Sequence, residues 1–389
     1  MTSVPVQTQH RILTVLVAAQ VLSGVGLAAG VAVGALLAQD MLGSTSLVGL
    51  SSAVSTAGAA LAAVVVGRIS QAHGRRPGLA AGYLTGAVGS FGVVTAAVVD
   101  SPVLFLLAMF VYGAGMATNL QARYAGADLA SPTRRARAVS AVLVATTLGG
   151  MVGPNLAALT GPLGLPHLAG PFVLAGCAYA TATVILTVWL RPDPLLLASE
   201  TTPPQPASEG HGLLFGALVM AVTQLVMVAI MTMTPVHMHN HGHGIAASGF
   251  VIAVHIGSMY LPSPLTGWLV DRHGPRAMAA ASGLTLLAAG IVAAPANSVV
   301  QYTVALALLG LGWNFGLVAG TAIITDAAPL ATRAKVQGTV DVSIAIAGAA
   351  GGMASGLVVT AASYPFLAIS GGILALAVVP AAVATARTR

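Results

Sequence analysis

The chain has 389 residues, of which 57% are apolar and 6% charged, with a mean hydropathy of +0.91 and a net charge of +6. So few charges cannot cover a water-soluble domain of this length, and lipid must be the solvent for most of it. The basic residues lie in short loops between apolar stretches, which excludes nucleic acid as a partner, and the one cysteine, Cys177, sits inside an apolar span, which excludes a disulfide framework or a CxxC metal site.

Twelve apolar stretches are each about 20 residues long, enough to cross roughly 30 Å of hydrocarbon. They fall at 12–38, 45–66, 78–98, 102–122, 138–162, 168–190, 213–236, 245–269, 277–295, 299–323, 338–360 and 364–385. The first lacks a small-residue cleavage site, so it reads as a spanning helix and not as a signal peptide. The chain's 46 glycines suit such helices, because small residues let backbones approach closely in lipid. The expected fold class is therefore an all-α membrane protein of twelve transmembrane helices. The string RPDPLLLASETTPPQPASEGHG at 191–212 reads as a flexible connector between an N-terminal six-helix bundle, 1–190, and a C-terminal one, 213–389.

Orientation follows from the basic residues. Arg11, Arg68, Arg75, Arg76, Arg123, Arg134, Arg135, Arg137, Arg191, Arg272, Arg276, Arg333, Lys335, Arg387 and Arg389 all fall on one side of this scheme. The opposite loops carry Asp40, Asp100 and a histidine cluster, and no Lys or Arg. Both termini are expected in the cytoplasm.

The halves repeat one another. GRISQAHGRR, Gly67 to Arg76, recurs 200 residues later as GWLVDRHGPR, Gly267 to Arg276. Asp128 with LASPTRRARA recurs 198 residues later as Asp326 with AAPLATRAKV. Two signatures at nearly one offset indicate duplicated, pseudo-symmetric six-helix halves. On these loops the sequence resembles the major facilitator superfamily over essentially its whole length, which implies the major facilitator fold and secondary transport, not an enzyme. By that resemblance Gly67, Gly74, Arg75, Gly267, Asp271, Arg272 and Gly274 belong to gating loops that latch one access state; the alternative is that the arginines simply hold topology. The N-terminal copy departs, with Gln71 in place of the usual acid and Ala72 in place of the usual base. Gly149-xxx-Gly153-Pro154 in span five resembles an antiporter motif, and is equally ordinary close packing.

Span seven carries Met227 and Met231 and span eight His255 and Met259, each pair four residues apart and so on one helix face. Consecutive antiparallel spans would let these edges meet near the bilayer midplane. Thioether and imidazole donors suit Cu(I) better than Mg²⁺ or Ca²⁺, and a neutral ligand set would release a monovalent cation readily. Methionine is also a common gap-filler, whereas a histidine at membrane depth is costly and marks a functional position. Between the spans, His237, His239, His241 and His243 alternate in what reads as a short flexible loop able to collect Cu(II), Zn²⁺ or Ni²⁺. Just past Met259, Pro262 and Pro264 should kink or unwind span eight.

This arrangement looks like the CcoA-like copper importers, which carry MxxxM in helix seven and HxxxM in helix eight. The resemblance implies that Met227, Met231, His255 and Met259 pass copper across the bacterial inner membrane to supply haem–copper oxidase maturation. It implies copper as transported substrate with no cofactor, a monomer in the lipid bilayer, and a periplasmic metal donor or cytoplasmic metallochaperone as partner. The rival reading is a proton-coupled exporter of drugs, metabolites or another metal; a third is a non-transporting metal sensor. Asp341 is the candidate proton-coupling acid, or else pairs with Arg333 or Lys335 or caps its helix. Arg123 reads as an interfacial anchor, and Gln20 and Gln224 either line the cavity or bond between helices. Trp268 and Trp313 read as packing and interface residues.

Overall fold

The structure, a computed structural model, describes residues 6–42, 48–156, 164–166, 168–202 and 210–387, with side chains 6, 28–32, 35, 48–49, 151–156, 245 and 383–387 outside that description. The order is α1 (Val6–Leu42), α2 (Val48–His73), α3 (Arg75–Val98), α4 (Pro102–Ala127), α5 (Arg135–Leu156), α6 (Gly170–Trp189), α7 (Pro194–Thr201) and α8 (His211–Asn240). It continues with α9 (Ile245–Tyr260), α10 (Ser263–His273), α11 (Pro275–Ala293), α12 (Val299–Ala327), α13 (Arg333–Ala361), α14 (Tyr364–Ala375) and α15 (Val378–Arg387). Among the described residues, eleven helical segments are long and apolar enough to cross a membrane. The stretch expected at 138–162 is helical over Arg135–Leu156 and then leaves the described residues. The side chains of Gly153, Pro154 and Asn155 also lie outside them, as do connector residues 203–209.

Helix ends follow local chemistry. Ser101, with Pro102 behind it, caps α4; Ser298 and Gln301 form a reciprocal capping box on α12. Gly74 and Gly274 precede α3 and α11 with φ of 99° and 88°, a conformation that an L side chain resists. The connector is not wholly irregular. Asp193 accepts from the N–H groups of Leu195 and Leu196 to start α7, and its other oxygen takes the Arg76 N–H at 2.7 Å.

The chain resolves into two compact units. One comprises Met1–Ala130, Ala141–Pro206 and Pro329–Ala345; the other comprises Ser131–Ser140, Ala207–Ala328 and Ile346–Arg389. The first unit has an aromatic centre: Tyr83 stacks on Tyr179 at 5.7 Å, and Tyr112 meets Phe172 edge-on at 5.5 Å. Its helices close over small residues. A Cβ on Gly149 would stand 1.8 Å from the Val21 carbonyl oxygen, so Gly149 is a close-packing residue of the α1–α5 crossing.

The second unit is built around α12, against which α8, α9 and α11 all pack. The predicted break in span eight is present: α9 ends at Tyr260 and α10 begins at Ser263, with Pro262 at its N-cap. Buried Asn314 of α12 satisfies the broken backbone. Its amide donates to the Met259 carbonyl and the Ser263 hydroxyl, both at 2.7 Å, and its carbonyl accepts from Thr266. At about 0.6 kcal/mol for an average bond between membrane helices, the three contribute about 2 kcal/mol.

Candidate transport site

Three of the four soft donors predicted in the C-terminal half are buried: His255 is 0% exposed, Met227 4% and Met259 8%, while Met231 is half-buried. His255 Nδ1 lies 2.8 Å from the Leu306 carbonyl oxygen. A carbonyl only accepts, so Nδ1 carries the proton and Nε2 the lone pair. Nε2 has no hydrogen-bond partner, although it is buried. A ring fixed by Nδ1–H to a backbone carbonyl, with Nε2 bare, is the second-shell arrangement of metal-ligating histidines.

The expected direct meeting of α8 and α9 is replaced by a different arrangement. The two helices scarcely touch, and each packs on α12. The cause is small residues on α12. A Cβ on Gly310 would lie 2.5 Å from the His255 carbonyl oxygen, so only glycine admits the α9 backbone there. On the α8 side, Gly320 faces Met220, Gly316 faces Thr223, and the Trp313 N–H donates to Gln224 at 2.7 Å. Continuing that antiparallel register by one and two turns carries Met227 and Met231 to the level of Gly310 and Leu306. His255, bonded to Leu306, and the α9 backbone at Gly310 lie against this stretch of α12, and the register sets Met227 and Met231 level with it. No three His, Cys, Asp or Glu side chains cluster as a metal site among the described residues, so any centre here depends on thioether sulfur.

The four histidines at the C-terminal end of α8 do not act as one loop. His237 and His239 belong to the last turn of α8, and positions two apart on a helix do not share a face. His237 and His241 come together, with ring centres 4.2 Å apart, whereas His239 is exposed. His243 Nε2 instead meets the Asn297 carbonyl at 3.0 Å.

The first unit holds two buried ion pairs. Arg75, 1% exposed, binds Asp128 through Nε at 2.8 Å and Nη2 at 3.3 Å, and also donates to Gln337. Arg123 is not an interfacial anchor. It is 0% exposed, donates to Asp341 at 2.8 Å and has its guanidinium carbon 4.1 Å from the Tyr124 ring centre. Asp341 therefore engages Arg123 and the Tyr124 hydroxyl, at 3.1 Å, while Lys335 is exposed, and among the described residues Asp341 Oδ2 accepts no hydrogen bond. Arg123 and Tyr124 stand 218 and 217 residues from Asp341, so only the duplicated topology could have hinted at the contact.

The two copies of the repeated loop differ chemically but make similar contacts. In the first unit, neutral Gln71 accepts the Ala334 N–H at 2.8 Å and donates to the Leu330 carbonyl at 3.1 Å. A Cβ on Gly67 would press within 2.8 Å of the Ala334 oxygen. In the second, Asp271 accepts from the Ala136 N–H at 3.0 Å and from Arg137 Nε at 2.9 Å, beside Gly267, whose Cβ would stand 2.5 Å from the Ser140 hydroxyl. Arg272 lies over Trp268 at 5.2 Å. Gln20 is buried between helices, donating to the Asn119 carbonyl and Thr146 and accepting from Tyr83.

Comparison with known proteins sets these features in a family. The family described as Major Facilitator Superfamily matches residues 16–261 and again 213–389. The chain is 53% identical to YdeG of Bacillus subtilis, an uncharacterised MFS-type transporter, over 96% of this chain and 91% of that one. It is 28% identical to the riboflavin transporter RfnT of Brucella anthropi, over 85% of each. In fold it is similar to the human organic anion transporter MFSD10, with a TM-score of 0.80 at 17% identity, over 96% of this chain and 99% of the other.

Proposed function

This chain belongs to the major facilitator superfamily, and we propose that, within that family of transporters, it imports copper as Cu(I) across a bacterial inner membrane. The observation that carries this reading is the buried His255 ring, with Nδ1 tied to Leu306 and Nε2 left bare. In the proposal, halves 1–190 and 213–389 rock about the α8–α12–α9 site, with both termini cytoplasmic. Met227 and Met231 pass the ion to His255 and Met259, and the neutral donor set holds it weakly enough to release. Asp341 is the acid available for proton coupling.

A second reading is favoured by Trp313, which is hydrogen-bonded to Gln224 and meets Tyr260 edge-on at 5.6 Å. Such an aromatic corner suits a flat organic solute, and the relative named as a riboflavin transporter supports that class. Proteoliposomes containing only this chain separate the two readings. Radiolabelled copper should accumulate, and a Met227→Ala/His255→Ala variant should accumulate about tenfold less while riboflavin flux stays unchanged. Copper uptake that survives the double substitution removes the first reading; copper-independent riboflavin flux that falls with Trp313→Ala establishes the second.

A further inference from the structure

The outer end of α8 carries a cluster that neither transport reading uses. His237 stacks on Tyr364 of α14, ring centres 4.2 Å apart and planes at 18°. It also lies edge-on to Tyr302 of α12 at 5.9 Å. The Tyr364 hydroxyl is fixed in turn by Thr234, one helical turn before His237, at 2.9 Å. His241, in the cap of α8, places its ring centre 4.2 Å from that of His237 and its Nδ1 2.8 Å from the His237 carbonyl oxygen. That carbonyl assigns the His241 proton to Nδ1 and leaves Nε2 as a free lone pair. Among the described residues, no hydrogen bond engages either ring nitrogen of His237.

We propose that His237 and His241 form a two-imidazole site for a divalent transition metal, Zn²⁺ or Cu²⁺, at the outer end of the second unit. Two residues of a helical i, i+4 pair already face each other, so little side-chain entropy remains to be lost on binding. Two nitrogens, each about 2.0–2.1 Å from one ion, stand about 3.3 Å apart at the tetrahedral angle. Small rotations of rings centred 4.2 Å apart supply that spacing. The Tyr364 stack holds one ring in place, and the His237 carbonyl fixes the tautomer of the other, the second-shell support that raises ligand basicity. Neutral nitrogen donors select borderline divalent ions over Mg²⁺ and Ca²⁺. His239 and His243 fall outside the pair: one points away on the helix, and the other is committed to Asn297. The site is independent of what the transporter carries, because none of its ligands belongs to the α12-level donor set.

Isothermal titration of the purified full-length chain with ZnCl₂ tests the proposal. The wild type and the His255→Ala variant should each bind one equivalent in the micromolar range. His237→Ala/His241→Ala should weaken binding at least tenfold, while His239→Ala and His243→Ala stay within twofold of wild type. His241→Ala alone, which leaves the Tyr364 stack intact, should reproduce the loss if the double variant fails to fold. Equal losses from His239→Ala and His241→Ala, loss with His255→Ala, or no saturable binding by the wild type would each overturn the site.

Discussion

The Arg123–Asp341 pair offers the sharpest quantitative test of the first unit. Both side chains are almost wholly sequestered, at 0% and 4% exposure, and the guanidinium also rests on Tyr124. Removing one partner of a buried ion pair strands the other charge, at a cost of about 3–5 kcal/mol. Asp341→Leu leaves a guanidinium that cannot deprotonate, and is expected to bear that full cost. Arg123→Leu leaves a carboxyl that can take up a proton, and is expected to cost less. The double leucine variant removes both charges and should recover most of the loss, because apolar replacements of a buried pair are often neutral. A loss of about 3 kcal/mol shifts the folded-to-unfolded ratio roughly 150-fold, easily resolved by SDS titration of purified protein followed by circular dichroism. If the double variant loses the sum of the two single losses, the residues do not act as a pair. Asp341→Asn then separates the hydrogen bonds from the charge: its carbonyl can still accept from Arg123 and Tyr124, so it should destabilise less than Asp341→Leu, while proton-driven uptake falls at least tenfold.

Two further substitutions probe the close approaches that position the site. Gly310→Ala places a methyl 2.5 Å from the His255 carbonyl oxygen and should cost about 1–3 kcal/mol while weakening copper retention, read by metal analysis of purified protein; unchanged retention would show that α9 seats His255 without that contact. Gln71→Asp adds a negative charge at the N-terminus of α13, where the Ala334 N–H already points at residue 71, and should stabilise by about 0.3–1 kcal/mol, in the same denaturation assay and less so at high salt. A destabilised Gln71→Asp protein would mean that the donor to Leu330 matters more than the acceptor for Ala334.

What the sequence makes legible here is whatever is local or repeated. Span lengths, the duplicated Gly67–Arg76 and Gly267–Arg276 loops and the break at Pro262 all follow from composition and spacing. What it hides is pairing at a distance. Arg123 looks like an interface residue because it follows an apolar stretch, and nothing nearby announces that Asp341 neutralises it. The histidine string misleads for the opposite reason. Regular alternation suggests one loop, but helical geometry sends alternate residues to different faces and leaves only His237 and His241 together. The separation of α8 from α9 did have a trace in the sequence. Gly312, Gly316 and Gly320 repeat every four residues along α12, with Gly310 on another face, and each position receives a different neighbour: Leu286 of α11, Thr223 and Met220 of α8, and the His255 backbone of α9. In lipid, where small residues are what allows backbones to approach, the helix with glycine on several faces is the one that others surround. Adjacency in the chain places the methionine and histidine pairs on consecutive spans; the glycines of a third span decide where each of those spans is seated.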